Sequence, residues 1–407
     1  MKHIILHWTF TLFPAAIILA ICVWEPMKKE PMNQKAIPIR IFLCGDVMTG
    51  RGIDQILQHP SDPQIHESYV KDARDYVRLA ERKNGPIPSP ADERYIWGDA
   101  LQEFDRVQPE VQLINLETSI TTHDKFWPGK GIQYRMHPEN ASCLSALGKL
   151  CCSLANNHVL DWGREGLKQT LRVLDKNGIP YAGAGIDAAT AKEPALIPIQ
   201  DKGRLILFSY GMSSSGIPFS WEAGKDLAGV NLLRDISANC VMEIGELVRA
   251  FKRPGDIVVL SLHWGENWGY EITEAEVEFA HNLIDNAQID LLWGHSSHHF
   301  KGMEVYNNKL ILYGCGDFIN DYEGIGGQET YRGDISLMYF PKIDAVTGEL
   351  LELEISPMVM RKFSLQKAGD KDLRWTEKRL NRECRRFSGS VDLKEGQLRL
   401  EWSRKTD

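Results

Sequence analysis

Six side chains of metal-binding type, and one further histidine beside them, stand at the ends of short apolar runs. The run 37–45 (IPIRIFLCG) leads into Asp46, 111–116 (VQLINL) into Glu117, and 151–156 (CCSLAN) into Asn157 and His158. The run 256–262 (DIVVLSL) leads into His263, and 289–294 (IDLLWG) into His295, with His298 close behind. A sixth run, 205–211 (LILFSYG), ends in Tyr210-Gly211 with no such group, so the pattern is selective. In open α/β sheets, binding groups collect beyond the carboxyl ends of the strands. Three imidazoles, two carboxylates and an amide oxygen form a mixed nitrogen and oxygen set, suited to Zn²⁺, Mn²⁺ or Fe²⁺ rather than to Ca²⁺ or Mg²⁺ alone. Six ligands exceed one tetrahedral ion. They fit two ions about 3.5–4 Å apart sharing a carboxylate, an arrangement that activates water and stabilises the oxygens of an in-line phosphoryl displacement.

Taken singly, each residue has an ordinary structural reading. An Asp after a strand serves as a helix N-cap, an Asn as a turn residue, and His263 between Leu262 and Trp264 as a satisfied core histidine. Their order and number argue for a metal site. The elements that must position them are legible in the same runs: four to eight apolar residues without strict alternation mark strands buried on both faces. Helical stretches intervene, notably 164–177, stopped by Gly178, and 273–287. The class is therefore α/β, with helices outside one or two sheets. Residues 59–95 carry five prolines around a predicted helix at 67–83, and read as a surface insertion rather than a lid. From 349 onward the sequence predicts a strand, a charged helix near 370–386 and a terminal hairpin.

Six segments carry a family resemblance: GDVMTGR (45–51), NLETSI (115–120), LANNHVLDWGREGL (154–167), SLHWGENW (261–268), GHSSHHFKGMEVY (294–306) and LILYGCGDFIND (310–321). Together they resemble the CapA family of poly-γ-glutamate capsule synthesis proteins, a branch of the calcineurin-like metallophosphoesterases. The resemblance implies a four-layered αββα sandwich. It implies Asp46 as the first metal-binding Asp, Glu117 in the place of a bridging Asp, Asn157 and His263 as ligands, and His295 and His298 as the terminal pair. It gives His158 the part of general acid or transition-state stabiliser, which a histidine beside two metals can play by donating to a leaving oxygen. Three positions depart from the superfamily pattern. Met48 stands where a ligand His is expected, the last pair is spaced His295-x-x-His298 with His299 as a competitor, and Asp317 replaces an Asn. Trp264, Trp268 and Trp293 lie beside the expected site and read as packing before substrate stacking. Arg51 and Arg135 are candidates to grip an anionic group.

The chain has 407 residues, 43% hydrophobic and 25% charged, enough for one large domain with appendages. A net charge of −8 weighs against a nucleic-acid partner. Residues 8–24 are uncharged over 17 positions, the short end of what spans a hydrocarbon core of about 30 Å, and read as an anchor in preference to a cleaved signal. The expected plan is an anchor at 1–24, a linker at 25–36, the catalytic-type domain at 37–345 and an extension at 346–407. Eight cysteines without CxxC pairs exclude zinc-ribbon and thioredoxin readings. The expectation is a single-pass membrane protein with its body outside the cytoplasm, serving capsule polymer synthesis or export as a metal-dependent hydrolase, with synthase subunits and an anionic polymer as partners. The rival reading is a non-catalytic component with a degenerate metal site. A third has the enzyme facing the cytoplasm, which the free cysteines would suit.

Overall fold

The computed structural model describes residues 36–403, so the expected membrane segment at 8–24 and nearly all of the linker lie outside the described residues. No described helix is long and apolar enough to cross a membrane.

Two sheets dominate. In the first, of ten strands, Pro38–Val47 is central: it runs parallel to Val111–Leu116, which in turn is parallel to Leu150–Ser153. On its other side it pairs antiparallel with Ile335–Asp344, followed by Leu350–Arg361 and the hairpin of Ser390–Lys394 and Gln397–Glu401. The described part of the extension, 346–403, is thus built into this sheet. The second sheet, of seven strands, is parallel at its centre, where Gly203–Met212, Asp256–His263, Leu291–His295 and Lys309–Leu312 follow one another.

Alternation along the strands makes the layers. Ile39, Ile41 and Leu43 of the first sheet pack with Leu205, Leu207, Ile257, Val259 and Trp293 of the second in one core between the sheets. The intervening residues face outward. Phe42, Ile114 and Cys152 pack with Tyr76, Phe104, Leu167 and Leu171 of the helices Arg74–Asn84, Ala100–Val107 and Gly163–Lys176. Ile206, Phe208, Val258 and Leu260 pack with Val241, Ile244, Phe279 and Leu283 of Ala238–Phe251 and Glu274–Ala287. The result is helices, sheet, sheet, helices. The last helix starts where its sequence says it should, because Thr273 and Glu276 close a capping box: the Glu276 N–H donates to Thr273 Oγ1 at 3.2 Å and the Thr273 N–H to Glu276 Oε2 at 2.7 Å.

The apolar stretch LILYGCGDF (310–318) reads in the sequence as one strand but forms two. The apolar run 310–318 is divided between Lys309–Leu312 in the second sheet and Asp317–Ile319 in the first, where Asp317 lies opposite Asp46. The chain crosses between sheets over 313–316, and the crossing needs Gly316 in the left-handed region at φ 77. Apolarity could not reveal this, because both halves are buried. The insertion at 59–95 holds a shorter helix than predicted, Arg74–Asn84, and is packed onto the first sheet through Tyr76 and Ala80.

Candidate metal centre

The two sheets bring different donors to one place. The first delivers oxygen: Asp46 near the end of its strand, Glu117 just past Val111–Leu116, and Asn157 beyond Leu150–Ser153. The second delivers nitrogen, with His263 and His295 closing adjacent strands in register. Gly45 lets the strands close up here, since a Cβ on it would lie 1.8 Å from the Gly316 carbonyl oxygen. Below the site Ser153 Oγ is 2.8 Å from both Ser209 Oγ and Ser261 Oγ, and Trp293 Nε1 donates to the Cys44 carbonyl at 2.8 Å, so the sheets are tied together directly beneath the ligands.

Ligand atoms of Asp46, Glu117 and His263 all lie within 4.8 Å of one another. His263 Nε2 is 3.2 Å from Asn157 Oδ1 and 3.9 Å from Glu117 Oε1. Its other nitrogen is 3.3 Å from Asn115 Nδ2, which also donates to Asp46 Oδ1 at 2.8 Å. Asn115 is in turn held by Asn156 Nδ2 at 3.1 Å. Buried amides thus orient two ligands from behind, as outer-shell groups do in metal sites. His295 Nδ1 is 3.2 Å from Asp46 Oδ1, yet neither ring nitrogen makes a hydrogen bond. Glu117 Oε2 is likewise buried without a partner. Orphaned polar atoms in a buried site cost about 1–3 kcal/mol each. A divalent cation would satisfy Glu117 Oε2 and one nitrogen of His295 at once, so the residues present fit one.

The electrostatics agree. Burial and the neighbouring Asp46 push Glu117 well above the usual carboxylate range. Burial also acts upward on Asp46, but the His295 ring at 3.2 Å and the nearby His263 outweigh it and hold the acid below its ordinary value. Burial brings His263 down to about 3, so its ring is neutral and able to ligate.

His158 stands on the same cavity, of about 530 Å³, whose walls include Glu117, Lys130, Asn157, Ser296 and Tyr322. Its Nδ1 is 2.6 Å from Asp161 Oδ2, and Nε2 faces Glu117 Oε1 at 3.7 Å. Asp161 is fully buried, takes the Tyr134 N–H at 2.7 Å and pairs with Lys130 at 3.1 Å. Burial, against the opposing pull of Asp161, leaves His158 titrating at about 4.

His298 lies apart. Its Nδ1 is 2.9 Å from Asp317 Oδ1, and Asp317 is further held by Asn320 at 3.2 Å. Asp317 outweighs burial and raises the His298 pKa. Beside it the Met48 sulfur takes a hydrogen bond from Tyr322 Oη at 3.5 Å, where a ligand His was expected. His299 is excluded as a competitor: Nε2 accepts from the Gly269 N–H at 3.1 Å, Nδ1 lies 3.1 Å from the Phe300 carbonyl, and the ring stacks on Tyr331.

Residues 40–322 match the family described as bacterial capsule synthesis protein PGA_cap. A probable polyglutamine synthesis accessory protein of Mycobacterium tuberculosis is 47% identical over 350 residues, covering 86% of this chain and 92% of the relative. The chain belongs to this capsule synthesis family. The PGA biosynthesis protein CapA of Bacillus subtilis is a more distant member, 29% identical over 79% of this chain and 73% of its own. A solved phosphatase from Mycoplasma pneumoniae aligns at 12% identity and a TM-score of 0.44, covering 83% of this chain and 97% of that one.

Within this capsule synthesis protein the two candidate arginines are occupied by structure. Arg51, at φ 49, bonds to Asp321, Glu67 and Tyr76 and lies over the rings of Tyr76 and Tyr134, clasping the insertion to the body. Arg135 donates to the carbonyls of His123 and Asp62 and stacks on Trp162 at 3.8 Å. Neither is placed to grip an anion at the metal cluster. Trp264 and Trp293 are packed in the core, whereas Trp268 is partly exposed on the cavity next to His298. Reading the sequence missed Asn115, Asn156, Lys130 and Asp161. The one available signal was that Asn115, Asn156 and Asp161 fall inside NLETSI and NNHVLDWG.

Proposed function

We infer that this chain is a metal-dependent hydrolase of the calcineurin-like metallophosphoesterase type, working in the synthesis or export of a capsule polymer such as poly-γ-glutamate. The observation that carries this is the cluster of Asp46, Glu117 and His263, with His295 against Asp46, in which His295 and Glu117 Oε2 are buried without hydrogen-bond partners. A divalent ion held there, Mn²⁺, Zn²⁺ or Fe²⁺ by the donor set, supplies Lewis acidity toward a phosphoryl oxygen and lowers the pKa of water. Asp46, Glu117, Asn157, His263 and His295 would hold it. A second ion would draw on His298 and the carboxylates beside it, and would be held more weakly because Met48 contributes no nitrogen. The protein does the rest. Asp161 fixes His158 through Nδ1, so that Nε2 faces the cavity, where it hands a proton to, or takes one from, an oxygen at the reacting centre. Lys130, with its side chain 12% exposed beside Asp161, adds positive charge to the wall.

Residues 8–24 serve as the membrane anchor, with the body outside the cytoplasm beside the polymer synthase. The names of the relatives support the pathway. The experiment is hydrolysis of bis-p-nitrophenyl phosphate by the metal-reconstituted full chain, with His158→Ala alongside. The reading expects turnover that the variant loses; a reconstituted, metal-bound chain without turnover contradicts it.

One observation favours a second reading. Met48 and Tyr322 occupy the place of a ligand His, which suits a component that binds polymer or a synthase partner through its metal site without cleaving anything. Polymer production in cells carrying His158→Ala at wild-type level would support that reading over hydrolysis.

A further inference from the structure

A second cavity, of about 480 Å³, adjoins the metal cavity and shares Ile132, His298 and Tyr322 with it. The two differ in character. The metal cavity is walled by carboxylate, amide and cationic groups. The second is walled by Tyr69, Ile132, Trp268, Tyr322, Ile325 and Met360. Its charges do not suit a polyanion: Arg51 is paired with Asp321 and Glu67, and Arg332 with Asp334 and Asp372. Lys83 is left as its one cation outside such pairs among the described residues, while Glu323 and Glu329 line it outside any such pair. A carboxylate chain drawn inside would lose water and meet mostly like charge. At the rim two apolar side chains stand in solvent, Tyr69 at 66% and Ile325 at 41% exposure, the kind of exposed apolar surface that a ligand covers.

We propose that the substrate is a phosphoester of a long aliphatic alcohol, whose phosphoryl group sits at the metal cluster and whose hydrocarbon chain runs past His298 and Tyr322 into this second cavity. The proposal rests on the hydrolase reading and narrows its substrate class from the polymer itself to a lipid-linked phosphate. The reaction balances with water alone: water oxygen joins phosphorus, the bond from phosphorus to the alcohol oxygen breaks, and the alcohol leaves with a proton. Tyr69 and Lys83 belong to the insertion at 59–95, so that segment forms part of a substrate wall.

The test is calorimetric binding of methyl phosphate, octyl phosphate and a γ-linked glutamate tetramer to metal-loaded full-length protein, repeated with EDTA. Octyl phosphate is expected to bind at least tenfold more tightly than methyl phosphate, and Tyr69→Asp and Ile325→Asp, both at exposed positions, are expected to collapse that ratio toward one. Equal affinity for the two esters that EDTA abolishes would overturn the apolar subsite and leave the metal reading standing. An octyl preference that survives EDTA without loss would support the subsite and count against the metal reading. Displacement of octyl phosphate by the glutamate tetramer at lower concentration would overturn the proposal in favour of the polymer.

Discussion

His295, which closes the strand Leu291–His295, and His298 just beyond it stand three residues apart and are treated in opposite ways. His295 is buried with both nitrogens unbonded, facing Asp46 beside Glu117, whose second oxygen is equally unpartnered. His298 is held by Asp317, Asp317 by Asn320, and the neighbouring Met48 is engaged by Tyr322. One half of the site lacks partners and the other has supplied its own. A buried polar group left unsatisfied is costly and rare, so the first half is the one whose donors fit a cation. The second half has fewer free donors to offer. The contrast underlies the proposal that an expected two-metal arrangement is, in this chain, one strong position and one weak one.

The sharpest way to break that contrast is to remove a donor from the strong half. His263→Ala is expected to abolish tight metal retention and, with it, hydrolysis, because Glu117 and Asn157 both turn toward that ring; metal content by plasma mass spectrometry and turnover check it. Next comes His158→Asn, expected to lower turnover by about 10²–10⁴-fold, the range of a lost general acid or base, while leaving metal content unchanged. Asp161→Asn acts through the same ring and is expected to cost less, at about tenfold or more, and to shift the pH profile of turnover. On the weak half, Met48→His is expected to raise the retained metal from about one ion per chain toward two; no rise would mean that Tyr322 and Asp317, not Met48, set the limit.

The smallest effect concerns pH. His158 and His263, at about 4 and about 3, are depressed from an ordinary value of 6.5 because burial opposes their charged forms. In the metal-free protein they stay neutral when folded and take up protons on unfolding. Stability is therefore present above about pH 6.5 and is lost as pH falls toward 4. Melting curves of metal-free protein between pH 7 and 4.5 should show this decline, with a flatter one for His158→Gln. In the core between the sheets, remote from this chemistry, Leu207→Ala should cost about 2–5 kcal/mol at every pH.

Much of this was legible in the sequence, for a physical reason. Strands buried on both faces write themselves as unbroken apolar runs, so the residues ending them stand out, and Asp46, Glu117, Asn157, His263 and His295 could all be read that way. What escaped depends on which distant segments meet. The run 310–318 reads as one strand because both of its halves are apolar, and only the fold shows that it changes sheets before Asp317. Asn115 looks like any strand residue until Asp46 and His263 are seen on either side of it. Arg51 looks like a free cation near a phosphate site until Glu67 and Asp321, the latter 270 residues away, are found against it.

The most direct measurement is the metal content of the purified full-length chain after reconstitution with Mn²⁺ or Zn²⁺ and exhaustive dialysis, beside Asp46→Ala and His295→Ala. About one tightly held ion per wild-type chain, lost from both variants, is the predicted result. A wild-type chain that emerges metal-free, or variants that retain as much metal as wild type, would contradict it.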